Sequence, residues 1–511
     1  MKTFRNIVLF LAASLMIFSG CTKNFEEINT DPNAPVDVPT PTLMINAQKR
    51  LMDDIRDEWA SGRMALLWVQ YWAQVNYTEE DRYQPRQNVN NALFRDIYLD
   101  IADLQRIIEI CEDPEWADLM SAYGAVQNQI ASARILKAWA FQLLTETYGA
   151  VPYHSYGAGN PDFNALQAAD DVYYPNYVSQ EDIFMDLLKE LKEAAAQIDV
   201  NQPAWTEGDN IFDGDAMKWK RFANSLRMRV AMRLSEADAA TSNTHLAEVI
   251  NGGEYMQSND DVAAFTYGTT ADNASPMYRA YFVSNRTDFA LAKPFVDLLK
   301  GDVGPFGQLD PRLPVYASPN QSGEYVGQPY GVPNHVAASI ATADVSLPNS
   351  PLAVDYAEPF MTYAEVCFIL SEYNDWDQTW YENGVRASME YNGCDAADIE
   401  AYITALPAAN EENVITQKYI DLYMQPYNAW AEYRRTGYPT TFTLPGDDTG
   451  ATDPDTGEVV YFEPLEAGVV DIIDRMNYAQ EDQLLNPSGY EQGVGLLGGG
   501  DNFTTKLWIF K

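Results

Sequence analysis

The sequence contains few residues of the kinds that build metal centres and nucleophilic active sites. Only 4 cysteines and 3 histidines occur in 511 residues. Cys21 follows an N-terminal leader, and Cys111, Cys367 and Cys394 lack the CxxC spacing of zinc sites. None of the histidines lies in a catalytic or metal-binding motif. The sequence therefore gives no support for a zinc site, a disulfide framework, or a serine or cysteine nucleophile. Three cysteines still allow one disulfide.

Basic residues are also scarce. The chain has 33 lysine and arginine residues against 74 aspartate and glutamate residues, which gives a formal net charge of −41 and a pI near 4.2. Such a chain repels phosphate backbones and anionic lipid surfaces, so nucleic acid is excluded as a partner. We interpret the excess of acids mainly as a solvated surface that keeps the protein soluble.

No apolar run is long enough to cross a membrane. The longest at the N-terminus, Ile7–Phe18, has 12 residues, whereas a spanning helix needs about 20. Lys2 and Arg5 precede this run and small residues follow it, which predicts a signal peptide over residues 1–20. Phe18-Ser-Gly-Cys21 resembles a lipobox, so we expect lipid on Cys21 to anchor the mature chain. Residues 21–41 are rich in Pro, Asn and Asp and predict an extended tether.

The rest of the chain is apolar enough to fold, since 46% of all residues are hydrophobic. Apolar residues at helical spacing begin in Thr42–Tyr77. The clearest helix covers 127–148, because Gly149 and Pro152 follow it as a stop signal. Further helices are predicted at 181–198, 215–236, 360–373, 378–391, 395–405, 411–424 and 427–436.

The predicted helix 215–236 has one apolar stripe, and basic side chains supply most of its other side. Because the chain is rich in acids, we predict that these bases pair with surrounding carboxylates, and contact with a ligand is the alternative. The basic residues are Lys220, Arg221, Arg227, Arg229 and Arg233.

Long irregular stretches separate the predicted helices, at 149–180, 256–290, 301–358 and 437–505. They are rich in Gly, Pro, Asn and Tyr. Loops of this length in a compact protein usually form functional surfaces. We expect little strand beyond hairpins, such as one around Gly457–Phe462.

Several short motifs follow one another along the chain. They are Asn29–Asn33, Ser132–Phe141, Tyr148–Pro152, Trp219–Arg229, Leu309–Pro314, Met361–Val366 and Tyr433–Gly437. In this order they resemble the SusD/RagB family of nutrient-binding outer-membrane lipoproteins. Each motif is weak alone, but the ordered set covers most of the chain.

The resemblance implies a mainly α fold, with tetratricopeptide-like helix pairs, long irregular loops and a few short β-hairpins. It implies a single domain over residues 42–511, with irregular segments at about 256–358 and 437–505 on the ligand side. It further implies a lipid-anchored protein on the outside of the outer membrane. Such a protein captures an oligosaccharide or oligopeptide and delivers it to a SusC-type TonB-dependent transporter, and it is neither an enzyme nor dependent on a cofactor.

The first candidate ligand site is the polar and aromatic stretch Trp68–Tyr83. Aromatic faces stack on sugar rings, and amides and guanidinium groups bind hydroxyls. Trp68 and Trp72 are four residues apart, which is also typical of a core-facing helix stripe, and core packing is favoured for Trp68. In this stretch the resemblance favours ligand contact by Trp72, Asn76, Tyr77, Arg82 and Tyr83.

Two further stretches are candidates. One is Tyr267–Phe289, where Tyr278, Tyr281 and Arg286 lie in a loop-like setting. The other is Asn374–Trp380, where Trp376 is the candidate. Simple packing, or contact with the transporter, is the alternative for each.

Other functions stay open from the residues alone. A glycan hydrolase needs only two carboxyl groups at a suitable separation, and the chain has many acids. An adhesive surface lipoprotein is a third hypothesis. Asp453–Glu458 suggests a structural calcium site, but it lacks the 12-residue ligand pattern, so a tight turn is favoured.

Overall fold

The computed structural model describes residues 38–157, 159–168 and 171–511. The predicted signal peptide, Cys21 and the tether as far as residue 37 lie outside these residues. The first half of the fold alternates long helices with very short strands. Its elements are α1 (Thr40–Ile55), α2 (Leu66–Trp68), β1 (Trp72–Gln74), α3 (Gln87–Glu112), α4 (Pro114–Met120), α5 (Val126–Tyr148), β2 (Val151–Pro152), β3 (Tyr177–Val178), α6 (Gln180–Gln197), α7 (Ala216–Arg233) and α8 (Ala239–Gly252).

The second half is less regular between residues 253 and 361 and again beyond residue 436. Its elements are β4 (Ala263–Thr266), α9 (Pro276–Tyr278), β5 (Phe289–Leu291), α10 (Lys293–Lys300), α11 (Leu313–Tyr316), α12 (Asn334–Ser339), β6 (Ala357–Met361), α13 (Tyr363–Tyr373), α14 (Gln378–Tyr391), α15 (Ala396–Thr404), α16 (Glu411–Asp421), α17 (Pro426–Thr436), β7 (Asp448–Thr452), β8 (Val459–Tyr461), α18 (Gln480–Leu485) and α19 (Pro487–Leu497).

The helices pack as successive neighbours around a large hydrophobic core, and a smaller, separate cluster lies between α13, α14 and α15. Helix α3 packs on α1 and α5, α6 packs on α5 and α7, and α13 packs on α14 and α16. Helix α5 is the centre of this arrangement, because its residues from Asn128 to Tyr148 are all buried. A helix buried on every side must be covered by several partners. The fold is therefore mainly α with packed helix pairs, as predicted.

The predicted helices after residue 126 are confirmed to within a few residues. Helix α5 ends at Tyr148, and the following Gly149 has φ +89°, a conformation that favours glycine. Helix α13 begins at Tyr363, where Thr362 caps it by accepting from the N–H of Glu365. The predicted helix from residue 360 starts late because residues 357–361 form β6 instead.

The prediction for Thr42–Tyr77 is corrected by the structure. Helix α1 begins at Thr40 and ends at Ile55, where Asp57 accepts from the backbone N–H groups of Trp59 and Ala60. These bonds draw the chain away from the helix axis. A π-helical turn at Ser61–Ala65, the short α2 and strand β1 then follow.

The ion pairs predicted for helix α7 are confirmed. Arg229 is buried and donates from Nε to Oε1 of Glu365 over 2.7 Å. The others pair Lys220 with Glu254, Arg221 with Asp261, Arg227 with Glu248, and Arg233 with Glu146 and Glu432.

The strands form four antiparallel pairs, β1–β5, β2–β3, β4–β6 and β7–β8, in the described residues. The last pair is the hairpin predicted around Gly457–Phe462. The first pair joins segments more than 200 residues apart in sequence, and it determines the geometry of the candidate site. Across residues 38–157, 159–168 and 171–511, no helix combines the length and apolar character needed to span a bilayer.

Candidate ligand-binding site

The β1–β5 pair brings two of the predicted ligand segments to one place. Its register pairs Trp72 with Leu291 and Gln74 with Phe289. The N–H of Val75 extends the ladder by donating to the carbonyl oxygen of Asp288 over 2.9 Å. The residues just after β1, from residue 76, therefore lie beside the residues just before β5, up to residue 287.

The segment that leaves β1 exposes Asn76 and Tyr77. The Tyr77 side chain is 59% exposed, and its φ of +59° is unusual for a residue with a side chain. Its N–H donates to Oδ1 of Asn334 over 2.6 Å, which ties the segment to helix α12. Backbone conformations of this kind are costly and tend to occur at binding sites.

The turn after Tyr77 folds back onto β1. The backbone N–H of Gln74 donates to Oδ2 of Asp81, and its side-chain amide donates to Oε2 of Glu80, both over 2.9 Å. Burial raises the pKa of Asp81 well above its usual value, although the bond from Gln74 opposes the shift. Arg82 is half-buried on this turn, and its Nε donates to the carbonyl oxygen of Thr78 over 3.4 Å.

The segment that enters β5 carries a second aromatic group. The rings of Tyr278 and Phe282 lie 4.9 Å apart, and Phe282 is 61% exposed. The backbone between them forms a π-helical turn at Arg279–Val283. This turn and Ser61–Ala65 are the π-helical turns of the described residues, and such turns often occur at functional sites.

Arg286 is exposed at the end of this segment and lies over the indole of Trp59, with its guanidinium carbon 5.3 Å from the ring centroid. The guanidinium carbon of Arg63 is 5.2 Å from the same ring. Asp57 lies in the turn that joins helix α1 to Trp59, and burial raises the pKa of its carboxyl group to about 8. Together these contacts extend the site to the end of helix α1. We call the surface formed by Trp59, Asn76, Tyr77, Arg82, Tyr278, Phe282 and Arg286 the ladder-end face.

Trp59 and Phe282 belong to this face but were not among the predicted site residues. In the sequence Trp59 continues a series of apolar residues spaced four apart, with Leu51 and Ile55, and this spacing indicates core packing. The Ser61-Gly62 pair just after it is unfavourable in a helix and was the available sign of a helix end. Phe282 lies in a candidate stretch, yet nothing in the local pattern distinguishes it from Tyr281.

Three predicted ligand residues have buried rings. Trp72 has no exposed area, and its Nε1 donates to the hydroxyl of Tyr423 over 3.0 Å. Tyr83 is also fully buried and packs on Phe462. Tyr281 is 6% exposed, and its hydroxyl donates to the carbonyl oxygen of Phe289. In this conformation the packing of the core uses these rings and leaves no face for a ligand. Trp68 is fully buried as well, as predicted.

Trp376 lies elsewhere, in the turn between α13 and α14. It has φ +63° and is partly buried against a small hydrophobic cluster that includes Tyr381 and Tyr402. This cluster is separate from the main core, against which Trp59 of the ladder-end face packs. The structure thus brings together two of the three predicted stretches and leaves the third apart.

One group of side chains has the composition of a cation site. His335, Asp453 and Asp455 each offer a ligand atom, and these atoms lie within 4.8 Å of one another. The favoured tight turn is confirmed, because Asp453 accepts from the N–H groups of Asp455 and Thr456. Nε2 of His335 lies 3.0 Å from Oδ2 of Asp453, so a mutual hydrogen bond already accounts for their approach.

The fold and this face define a class: a helical scaffold whose irregular segments present exposed aromatic, amide and guanidinium groups. Comparison with known proteins agrees. A family model described as starch-binding and associating with the outer membrane matches residues 32–457, and one described as SusD and RagB outer membrane lipoprotein matches residues 408–510. The chain belongs to the SusD-like family.

Solved structures confirm the fold. A SusD homologue from Parabacteroides distasonis superposes with a TM-score of 0.75 at 21% identity, over 92% of this chain and 98% of that one. A chitin-binding SusD homologue from Flavobacterium johnsoniae gives 0.72 at 21% identity, over 92% and 98%. Another structure, named as a chitin-binding protein, gives 0.73 at 23% identity, over 92% and 100%. No curated protein sequence matches the chain significantly.

Proposed function

We propose that this protein is a cell-surface lipoprotein that binds an oligosaccharide at the ladder-end face and delivers it to a SusC-type TonB-dependent transporter. The observation that carries the proposal is the convergence of two exposed aromatic segments at one end of the β1–β5 ladder. Membership of the SusD-like family supports the same function. The protein binds its ligand without changing it chemically.

The chemistry of the face suits a sugar. Tyr77, Tyr278 and Phe282 are partly or largely exposed, and such rings stack on the C–H surfaces of pyranoses. The side chain of Asn76 is exposed beside them and offers both a donor and an acceptor for hydroxyl groups. Two of the similar structures are named as chitin-binding, which also favours a glycan. An oligopeptide is the second candidate ligand, because the same groups bind extended peptides.

Position at the membrane follows from the N-terminus. Lipid on Cys21 holds the body at the outer surface, and the chain ahead of helix α1 gives it room to cover the transporter. The predicted tether of residues 21–41 is too long at its end, because Thr40 and Pro41 are buried in the first turn of helix α1. Replacing Cys21 by Ala, or treating cells with globomycin, is expected to block processing and release the protein from the membrane fraction. Normal processing and attachment of Cys21→Ala would contradict the anchor.

The binding function is tested with purified protein and a panel of oligosaccharides by affinity electrophoresis and calorimetry. Tyr77→Ala and Tyr278→Ala are expected to weaken binding by about 5-fold to about 150-fold, because each removes a stacking surface worth about 1 to 3 kcal/mol when buried. Tyr173→Ala is the matched control, since Tyr173 is 64% exposed but lies outside the face. Equal losses for all three variants would contradict the assignment of the site.

The alternatives have separate readouts. Mass spectrometry of the recovered ligand distinguishes a binder from a glycan hydrolase, because a hydrolase that uses paired carboxylates shortens the oligosaccharide. Purification from membranes distinguishes transport from adhesion, since the proposal requires a large barrel protein to copurify. Intact ligand and a copurifying TonB-dependent barrel are the expected results.

A further inference from the structure

Almost every arginine of the described residues has a carboxylate partner. The exceptions, with no carboxylate oxygen within the 4.0 Å limit for an ion pair, are Arg82, Arg286 and Arg434. Arg434 is half-buried, donates to three backbone carbonyl groups and lies over Trp430. The two that remain are Arg82 and Arg286, and both belong to the ladder-end face.

This absence of partners is unusual in such an acidic protein. With 74 acids and 33 bases, most cations have a carboxylate within reach. An exposed surface pair contributes at most about 1 kcal/mol, but its formation is the ordinary outcome when opposite charges are close. Two guanidinium groups without a carboxylate partner on one face therefore need a separate explanation.

Several carboxylates near the face already have other partners. Oδ2 of Asp288 accepts from Arg63 over 2.6 Å. Glu80 pairs with Arg63 and Arg86, and Asp81 is buried and accepts from the backbone N–H of Gln74. None of these acids is available to neutralise Arg286.

The site also holds Arg286 in place. Its backbone N–H donates to the carbonyl oxygen of Ala280 over 2.8 Å, and its guanidinium lies over Trp59. Stacking on an aromatic ring leaves the N–H edge of a guanidinium free to bind an anion. That edge presents paired donors that match the oxygens of a carboxylate or sulfate.

We propose that the ligand of the ladder-end face is an acidic oligosaccharide, and that its carboxylate or sulfate groups bind Arg286 and Arg82. This inference rests on the proposed function and adds the charge class of the ligand. Aromatic groups hold the sugar rings, while the two arginines select for negative charge. Binding should weaken as salt is added, because the attraction is partly exposed to solvent.

The test compares oligosaccharides that differ only in charge. Calorimetry is done with an oligogalacturonate and its methyl ester, and with a sulfated galactan oligosaccharide and its desulfated form. These pairs distinguish carboxylate from sulfate. At least one acidic member is expected to bind about tenfold or more tightly than its neutral partner, and Arg286→Gln is expected to remove that preference. Arg82→Gln should reduce it, whereas Arg386→Gln removes an equal charge on helix α14 and should leave it unchanged.

The outcomes separate this inference from the function on which it rests. Equal binding of acidic and neutral partners, or a preference that survives both arginine substitutions, contradicts the inference and leaves oligosaccharide binding intact. Failure to bind any of these sugars while an acidic peptide binds contradicts the glycan assignment. Binding of no probe counts against both the inference and the function.

Discussion

The helical core and the ladder-end face use arginine in opposite ways. In the core, Arg229 is buried and its guanidinium makes two bonds to Glu365, so it joins helices α7 and α13. On the face, Arg286 is exposed and has an aromatic ring beneath it but no carboxylate. The difference indicates that core arginines hold the scaffold together, while those on the face are available to a ligand.

The backbone is also different in the two regions, because it is regular in the core and irregular on the face. Helix α5 is regular and buried along its length. The face includes the π-helical turn Arg279–Val283 and has positive φ at Tyr77 and at Asn285, where φ is +52°. A second, buried π-helical turn at Ser61–Ala65 follows Trp59 in sequence. Such conformations cost free energy and persist because the surrounding fold holds them. The regular helices thus support a less regular candidate surface for a ligand.

The largest loss of stability is expected from Glu365→Gln. The substitution removes one charge of a buried pair and leaves Arg229 without a counterion, which typically costs about 3 to 5 kcal/mol. Denaturant unfolding measures the change. A loss below about 1 kcal/mol would show that the buried pairs do not hold the helices together.

Trp72→Ala is expected to cost about 3 to 5 kcal/mol of stability, because it empties space in the core beside Phe289. Tyr77→Ala, five residues further on, should change stability by less than about 0.5 kcal/mol while weakening ligand binding. The two variants together test where the core ends and the face begins. Similar effects of both on unfolding would remove that boundary.

Asp100→Asn should make stability less dependent on pH. The Asp100 side chain is buried in helix α3, and burial, with the charge of Asp54, raises its pKa to about 8 from an ordinary value near 4. The unfolded chain releases this proton near pH 4, so the wild type loses stability as pH rises from about 4 to about 8. The variant lacks this carboxyl group and should gain at least about 1 kcal/mol relative to the wild type between pH 5 and pH 8. A constant difference across these pH values would contradict the shift.

The smallest effect is expected from Glu400→Gln. Its partner Arg386 is on the surface, and exposed ion pairs contribute little to stability because solvent screens them. This variant is the matched control for Glu365→Gln, because it removes the same charge from a pair that is not buried. A loss as large as that of Glu365→Gln would remove the distinction between core and surface pairs.

Much of the helical fold was predictable, because local periodicity determines it. Helices α5, α7 and α14 to α17 follow from apolar spacing and their end signals. Helix α3 was missed although Leu93, Ile97, Ile101 and Leu104 are spaced three to four residues apart and buried. Helix α8 and the helices within the stretches 301–358 and 437–505 were also not predicted, because they are short or rich in polar residues.

The candidate site was predictable only in parts. Sequence reasoning named Asn76, Tyr77 and Arg286 because they lie in polar and aromatic stretches, and the family resemblance favoured the first two. It did not join them, because β1 and β5 meet through a long-range pairing that no local pattern encodes. For the same reason it did not separate the buried Trp72 and Tyr83 from their exposed neighbours.

The most direct test is a crystal structure of the protein with the oligosaccharide that binds most tightly in calorimetry. We predict density for the sugar at the end of the β1–β5 ladder, in contact with residues of both 76–82 and 278–286, and with an acidic group beside Arg286. A sugar bound at Trp376 or elsewhere, without contact to either segment, would contradict the account.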